Sequence, residues 1–301
     1  MTTTAVDMAE TPGRVGLGLR HLASPSGLSL DLLPNGCVFV LEHRHEHGST
    51  QINQIQGSPL DGGIGRILLR LRSPRPSLAE VSGPRARVRF GIGRDRATWE
   101  GKLGGVRHRV SFWLHPSQPV WVWRLSVLNA ATEAVRCDAL LVQDLGLGER
   151  AFLMNNEAYA SQYIDHHVAT HPDCGPVVMS RQNLAQAGRH PWVAHGCVEG
   201  AAGFATDALQ LLGPGYRATG RLAWMADLPS QRLQHEVACP MIQSRPVDLE
   251  PRARTGWTFF GLYEPDHPAA TGLADLAKVD AALRACSEFH EGEVALRVPV
   301  R

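Results

Sequence analysis

Apolar and polar residues alternate with a period of two through much of the first half of the chain. Leu28-Ser29-Leu30-Asp31-Leu32-Leu33, then Pro34-Asn35-Gly36, then Cys37-Val38-Phe39-Val40-Leu41 predicts a strand, a tight turn and a second strand. Ile64 to Leu71 is another apolar run of strand length, and Val106, Val110, Phe112 and Leu114 share one face, with His108 among them. Beyond the turn-forming Pro116 and Pro119, the segment from Val120 to Leu128 is the clearest strand in the chain. Its alternating Val and Trp residues fit a pleated, half-buried surface. Residues 137–142 follow after a short turn. Runs of this length, interrupted at short intervals by Gly, Pro, Asn or Asp, predict a mainly β fold, a large antiparallel β-sandwich. Helical spacing is confined to the end, where an Ala-rich segment over 266–283 carries Leu276, Val279 and Leu283 on one stripe. Glu293 to Arg301 then begins something extended.

Composition narrows the function classes. A chain of 301 residues can bury a large core, and 44% hydrophobic with 20% charged residues is a globular balance. With 30 Lys+Arg against 29 Asp+Glu, the net charge of +1 creates no global field toward nucleic acid or a membrane surface. The local distribution is less even. Arg85, Arg87, Arg89, Arg94, Arg96, Lys102, Arg107 and Arg109 crowd one stretch and partly alternate with apolar residues. That pattern suits the solvated face of a sheet first and an anion site second. The six cysteines are scattered without a C-x-x-C, as free and mostly buried thiols of a reducing compartment would be. No signal-like apolar run opens the chain and no segment is apolar enough to span a bilayer, so a cytoplasmic location is expected.

Motifs for nucleotide chemistry fail. Gly16-Leu17-Gly18 and Gly91-Ile92-Gly93 each lack the third glycine, and neither a phosphate-binding loop nor a nucleophile elbow occurs. His43, His45 and His47 would share one face of a continued strand. Such an H-x-H resembles the cupin pattern, but the glutamate that pattern needs is replaced by Ser49 and Thr50. Asp165, His166, His167, His171 and Cys174 offer further donors over a short span. A polar strand end and a hydrogen-bonding loop account for these clusters better than metal, so neither a metal nor a cofactor is expected. Residues 154–217 are dense in Asn, Gln, Asp, His, Arg, Tyr and Trp. Such a mixture suits a sugar site, where amides and carboxylates bind hydroxyls and aromatic faces stack on pyranose rings; it equally suits long loops tied together by internal hydrogen bonds.

Within that segment, NNEAYASQYIDH (155–166), SRQN (180–183), PW (191–192) and GFATDALQLLG (203–213) resemble glycoside hydrolase family 94, which includes cellobiose phosphorylase and cyclic β-1,2-glucan synthase. INQIQGSPLDGG (52–63) with RILLRLR (66–72) upstream, and LPSQRLQHE (228–236) with FFGLYEPDHPAAT (259–271) downstream, fit the same family. The resemblance is strongest to its 1,2-β-oligoglucan phosphorylase branch. It implies a galactose-mutarotase-like supersandwich over 27–264, preceded by an N-terminal arm (1–26). Residues 265–301 then form a helical linker and the start of a following domain. In the family, a catalytic (α/α)6 barrel comes next and carries the general acid. No position here matches that acid, so no catalytic residue is assigned. The complete enzyme would use inorganic phosphate as co-substrate to release glucose 1-phosphate from β-1,2-glucooligosaccharides. The sandwich would meet the barrel, in cis or as a separate chain, and form part of a homodimer interface.

By that resemblance, Tyr159, Tyr163 and Trp192 are candidates to stack on glucose rings, with a core role as the alternative for each. Gln162, Asp165, Arg181, Gln182, Asn183 and Asp207 are candidates to bind hydroxyls or the neighbouring domain, and His166 to orient a partner. A stand-alone carbohydrate-binding protein is the second possibility. A mutarotase-like epimerase is the third, and it would need His166 or His195 to converge with Glu157 or Asp207. The first possibility predicts an exposed apolar face where a barrel docks.

Overall fold

The computed structural model describes residues 18–46, 48–54, 65–213, 215–219, 226–234 and 237–297. Residues 55–63 of the INQIQGSPLDGG motif, His47 and the side chain of Glu157 lie outside this description. The chain opens with an antiparallel meander of β1 (Arg20–Ala23), β2 (Leu28–Leu32), β3 (Val38–His45) and β4 (Gly48–Gln51). It continues through β5 (Gly65–Ser73), β6 (Ser77–Glu80), β7 (Val88–Ile92), β8 (Arg96–Leu103), β9 (Val106–Leu114), β10 (Val120–Asn129) and β11 (Val135–Gln143). Two short helices, α1 (Arg150–Asn155) and α2 (Glu157–Gln162), lead into β12 (Ile164–His171), β13 (Gly175–Gln182), β14 (Trp192–Cys197) and β15 (Ala201–Asp207). After α3 (Leu209–Leu212) and α4 (Tyr216–Thr219) come β16 (Ala238–Ser244), β17 (Val247–Leu249), β18 (Arg254–Glu264) and the terminal helix α5 (Leu276–Ser287).

The large antiparallel sandwich that the alternation predicts is present. An eight-stranded sheet runs β12-β13-β14-β18-β10-β9-β8-β7, and a six-stranded sheet runs β15-β16-β11-β5-β6 with β17 paired to β11. One core joins all three sheets: Leu28, Leu30 and Leu41 of the meander, Ile67, Leu69, Leu141 and Ile242 of the six-stranded sheet, and Trp99, Trp121, Trp123 and Phe259 of the eight-stranded one. Phe112 sits edge-on to Trp123 at 4.7 Å between ring centroids, and Trp99 follows at 5.5 Å.

The Val-Trp alternation of β10 has a physical cause. Trp121, Trp123, Leu125 and Val127 enter the main core, whereas Val120 and Val122 point to the opposite face. There they join Trp113, Trp192, Phe260 and Leu262 beneath Val279, Ala282, Ala285 and Cys286 of α5. One end of the strand is therefore apolar on both faces. Where the helix no longer covers it, Arg124 and Ser126 appear. The expected stripe of Leu276, Val279 and Leu283 lies on α5 and packs on the sheet, but the helix takes up only the later part of the 266–283 segment: α5 starts at Leu276 after a 3-10 turn at Leu273–Asp275. Pro268 disfavours helix at the residue before it, and the Asp275 carboxylate accepts the Gly272 N–H at 2.9 Å, so the helix starts there. Residues 288–297 cross the outer face of the eight-stranded sheet and end in a two-way backbone pairing of Arg297 with Phe90 on β7.

Candidate functional site

The motifs at 155–166, 180–183, 191–192, 228–236 and 259–271 meet at one place, the end of the β12–β13 hairpin, where β12 is the edge of the eight-stranded sheet. Helix α2 delivers the chain into β12, and the Asn183 N–H donates to the Tyr163 carbonyl at 2.8 Å, extending the pairing past the strand ends. Each residue of SRQN has its own partner. Ser180 and the His166 imidazole Nδ1 are 2.8 Å apart in the interior. Arg181 donates to the His267 carbonyl at 2.6 Å, the Pro268 carbonyl at 3.2 Å and the Asn183 side-chain oxygen at 2.5 Å. The Gln182 amide donates to the Gly146 and Ala160 carbonyls at 3.2 and 3.3 Å and accepts the Leu184 N–H at 3.1 Å.

Of the ten candidates, one group faces solvent. Tyr159 is 50% exposed, and its ring meets Tyr163 edge-on at 4.9 Å between centroids, with the two hydroxyls hydrogen-bonded. That bond pushes the Tyr163 hydroxyl above its ordinary value. Gln162 and Asn183 are exposed, and Asp165, half-buried, accepts the Gln234 amide at 2.5 Å. The second group is buried. Trp192 is fully enclosed and stacks at 14° on His267, 5.5 Å between centroids. His166, Arg181, Gln182 and Asp207 are buried, and the Asp207 carboxylate accepts the Leu209 and Val237 N–H groups at 2.7 and 2.8 Å. These five hold the edge in shape while the first group presents it.

Sequence reading missed the residues that complete the node. Gln234 bonds both Asp165 and the His166 N–H, and Arg232 donates to the His166 carbonyl at 2.9 Å. His267 places Nδ1 2.8 Å from the Ala269 carbonyl and Nε2 2.7 Å from Asp275, so both ring nitrogens face acceptors. All three stand in the quoted downstream motifs; their role depends on long-range contacts that no local spacing reveals.

The structure gives the epimerase possibility no support among the described residues. His195 is fully buried, neither ring nitrogen has a partner, and burial, with His166 nearby, drives its pKa down to about 3. Both oxygens of Asp207 already cap backbone donors. The histidine clusters also separate. Strand alternation splits Asp165 and His167 from His166, while His171 turns to Asp280 at 3.2 Å. No group of three or more His, Cys, Asp or Glu residues suited to a metal ion occurs among the described residues.

Comparison with known proteins agrees with this architecture. Residues 31–261 match the model of the SOGP N-terminal domain. The 1,2-beta-oligoglucan phosphorylase of Listeria innocua serovar 6a is 31% identical over 225 residues, which are 73% of this chain and 19% of that protein. The chain thus spans about a fifth of that relative's length. Among solved structures, the polysaccharide lyase BACCELL_00875 aligns at a TM-score of 0.51 and 11% identity, over 81% of this chain and 33% of its own. A bacterial glucoamylase complexed with acarbose aligns at 0.51 and 9% identity, over 89% and 34%. These two show a shared fold. With the family model covering most of the sandwich and the motif residues gathered at one sheet edge, the chain belongs to the SOGP N-terminal domain family.

Proposed function

We propose that this chain is the non-catalytic N-terminal sandwich of a glycoside phosphorylase of the 1,2-β-oligoglucan phosphorylase and cyclic-glucan-synthase kind, shaping a β-1,2-glucooligosaccharide site and a subunit interface. The observation that carries the reading is the edge-on pair of exposed Tyr159 and half-buried Tyr163, held beside Gln162, Asp165 and Asn183 by a buried hydrogen-bonded node. Tyrosine faces stack on the C–H faces of glucose rings, and amides and a carboxylate take hydroxyl pairs. Arg181, Gln182, Trp192, His166 and Asp207 are positioning residues. In the complete enzyme, a barrel in cis or in trans would supply the acid that protonates the glycosidic oxygen while inorganic phosphate attacks the anomeric carbon.

An apolar rim supports docking of that barrel at the same end. Met154, Tyr159, Leu209 and Val237 are among the few large apolar side chains left exposed. Leu209 and Val237 are joined through Asp207, and the Ser161 hydroxyl of α2 accepts the Ala238 N–H at 3.4 Å, next to Val237. The six cysteines, all buried and scattered without a C-x-x-C, support a cytoplasmic setting.

The test is calorimetric titration with β-1,2-glucooligosaccharides, cello-oligosaccharides as the control, and a parallel assay for glucose 1-phosphate release. Selective binding without turnover, lost in Tyr159→Ala/Tyr163→Ala, is the expected result. No binding to either series would favour a scaffold role, with the β12-edge residues acting on interdomain contacts. Turnover by this chain would overturn the non-catalytic reading.

A further inference from the structure

The outer face of the eight-stranded sheet has two halves. One is apolar and lies under α5. The other, over β7 to β10 and β18, has no covering layer among the described residues; it is a groove of about 920 Å³ bordered by the crossing tail. Strand register orders its side chains into rows. In one row Arg89, Glu100, Arg109 and Ser126 stand opposite one another on successive strands. Here the charges are satisfied: Arg109 pairs with Glu100 at 2.6 Å and donates to the Gly292 carbonyl at 2.7 Å, Arg89 reaches the Leu296 carbonyl at 3.3 Å, and Ser126 holds Glu291 at 2.9 Å. Farther along, Arg124 pairs with Glu199 at 2.6 Å.

The neighbouring row differs. Lys102 stands directly opposite Arg107, which stands opposite Leu128, which stands opposite Arg254. All three cations are exposed, and none has an ion pair or side-chain hydrogen bond among the described residues. Like charges directly opposite on adjacent strands destabilise a sheet, so the Lys102–Arg107 pair costs folding free energy unless a ligand neutralises it, and Arg254, one strand beyond Leu128, extends the same positive row. Strands lie about 4.8 Å apart, so the row extends about 15 Å.

We infer that this groove is a docking surface for a carboxylate-rich segment of a second polypeptide, bound along the Lys102–Arg107–Arg254 row beside the tail. Guanidinium forks match carboxylates in bidentate geometry. Three separated cations suit carboxylates spaced along a peptide, whereas a nucleic acid brings a dense phosphate array. Among the described residues lining the groove there is no Phe, Tyr or Trp, so bases and sugar rings lack a stacking platform. In sheet order the row lies on β8, β9 and β18, away from the β12 edge that presents Tyr159 and Tyr163.

The experiment is fluorescence anisotropy of the 301-residue chain with a labelled peptide of alternating Glu and Ser, its Gln counterpart, inorganic polyphosphate and a single-stranded oligonucleotide. The Glu peptide should bind, weaken steeply with salt, and lose at least about tenfold in affinity in Lys102→Thr/Arg107→Thr/Arg254→Thr. Arg75→Thr, on an exposed ion pair with Glu133 outside the groove, should bind like the parent. Arg254→Gln alone, with a several-fold loss, gives the same reading should the triple variant fail to fold. Absence of binding to the Glu peptide, unchanged affinity in the folded charge variants, or tighter binding of polyphosphate or oligonucleotide would each overturn the assignment.

Discussion

Individual residues in this sandwich are constrained most where two sheet faces press together. Gly261 sits opposite Trp121 in the β10–β18 register, and a Cβ there would lie 2.0 Å from the indole. Gly261→Ala should therefore cost about 1–3 kcal/mol, read as a lowered Tm, because a fully buried Trp cannot retreat in a close-packed core. Gln182 is constrained by hydrogen bonds instead. Its amide links Gly146, Ala160 and Leu184, and Gln182→Ala would strand the Gly146 carbonyl and leave the Ala160 carbonyl only the long Tyr163 N–H contact, for a loss of about 1–3 kcal/mol in denaturant titration. Tyr159 is the contrast: half exposed, it should tolerate Ala within about 0.5 kcal/mol, so a loss of sugar binding in that variant reports on contact and not on folding. The sequence marked Gln182 and Tyr159 as candidates and passed over Gly261, and residue type alone could not divide them into presenters and supporters.

At the scale of elements, the six-stranded sheet carries a charge network on its outer face. Arg70 and Asp138 are both fully buried and bind through two contacts of 2.7 and 2.6 Å; Arg72 and Gln243 add further bonds to Asp138. Asp138→Ala should cost about 3–5 kcal/mol by removing the two-contact carboxylate from buried Arg70, which keeps only the Ala226 carbonyl and the longer Asp227 contact, while the paired change Arg70→Met/Asp138→Leu should recover most of that loss. The loop before α5 is held by another pair. Burial raises the Asp275 carboxyl, but the His267 hydrogen bond, the Gly272 N–H and the charges of His267 and Lys278 outweigh it and hold it below the usual carboxylate range. Its folded pKa being depressed, the stability it contributes is present above the unfolded value near ~3.9 and is lost as pH falls through the folded one. Asp275→Asn should lower the Tm at neutral pH and flatten the acid limb of the Tm–pH curve. Pattern located strands and turns in the first half of the chain and the terminal helix, but it left β12 to β18 unread because their polar residues hide the alternation. It set the start of α5 too early because the 3-10 turn before it is stabilised by His267, a contact made outside the helix.

For the whole molecule, two buried histidines add a second pH dependence. Burial drives His195 down to about 3 and His108 to about 4. Below the unfolded value of ~6.5 the unfolded chain takes up protons that the folded chain refuses, so stability is complete above that pH and falls as pH drops toward those values. His195→Leu should flatten urea-derived stability between about pH 6.5 and 4; an unchanged slope would remove His195 from this role. By itself the sequence determined the mainly β class, the strand-turn-strand order, the terminal helix and the family, because alternation and ordered motifs are local properties of the chain. It also placed the polar segment that forms the β12 edge. Tertiary structure alone decided which candidate residues are buried and which face solvent, and that cations spaced along β8, β9 and β18 align in one row. Strand pairing brings together residues as distant as Lys102 and Arg254, and the register that aligns them is set by packing of the three sheets around one core.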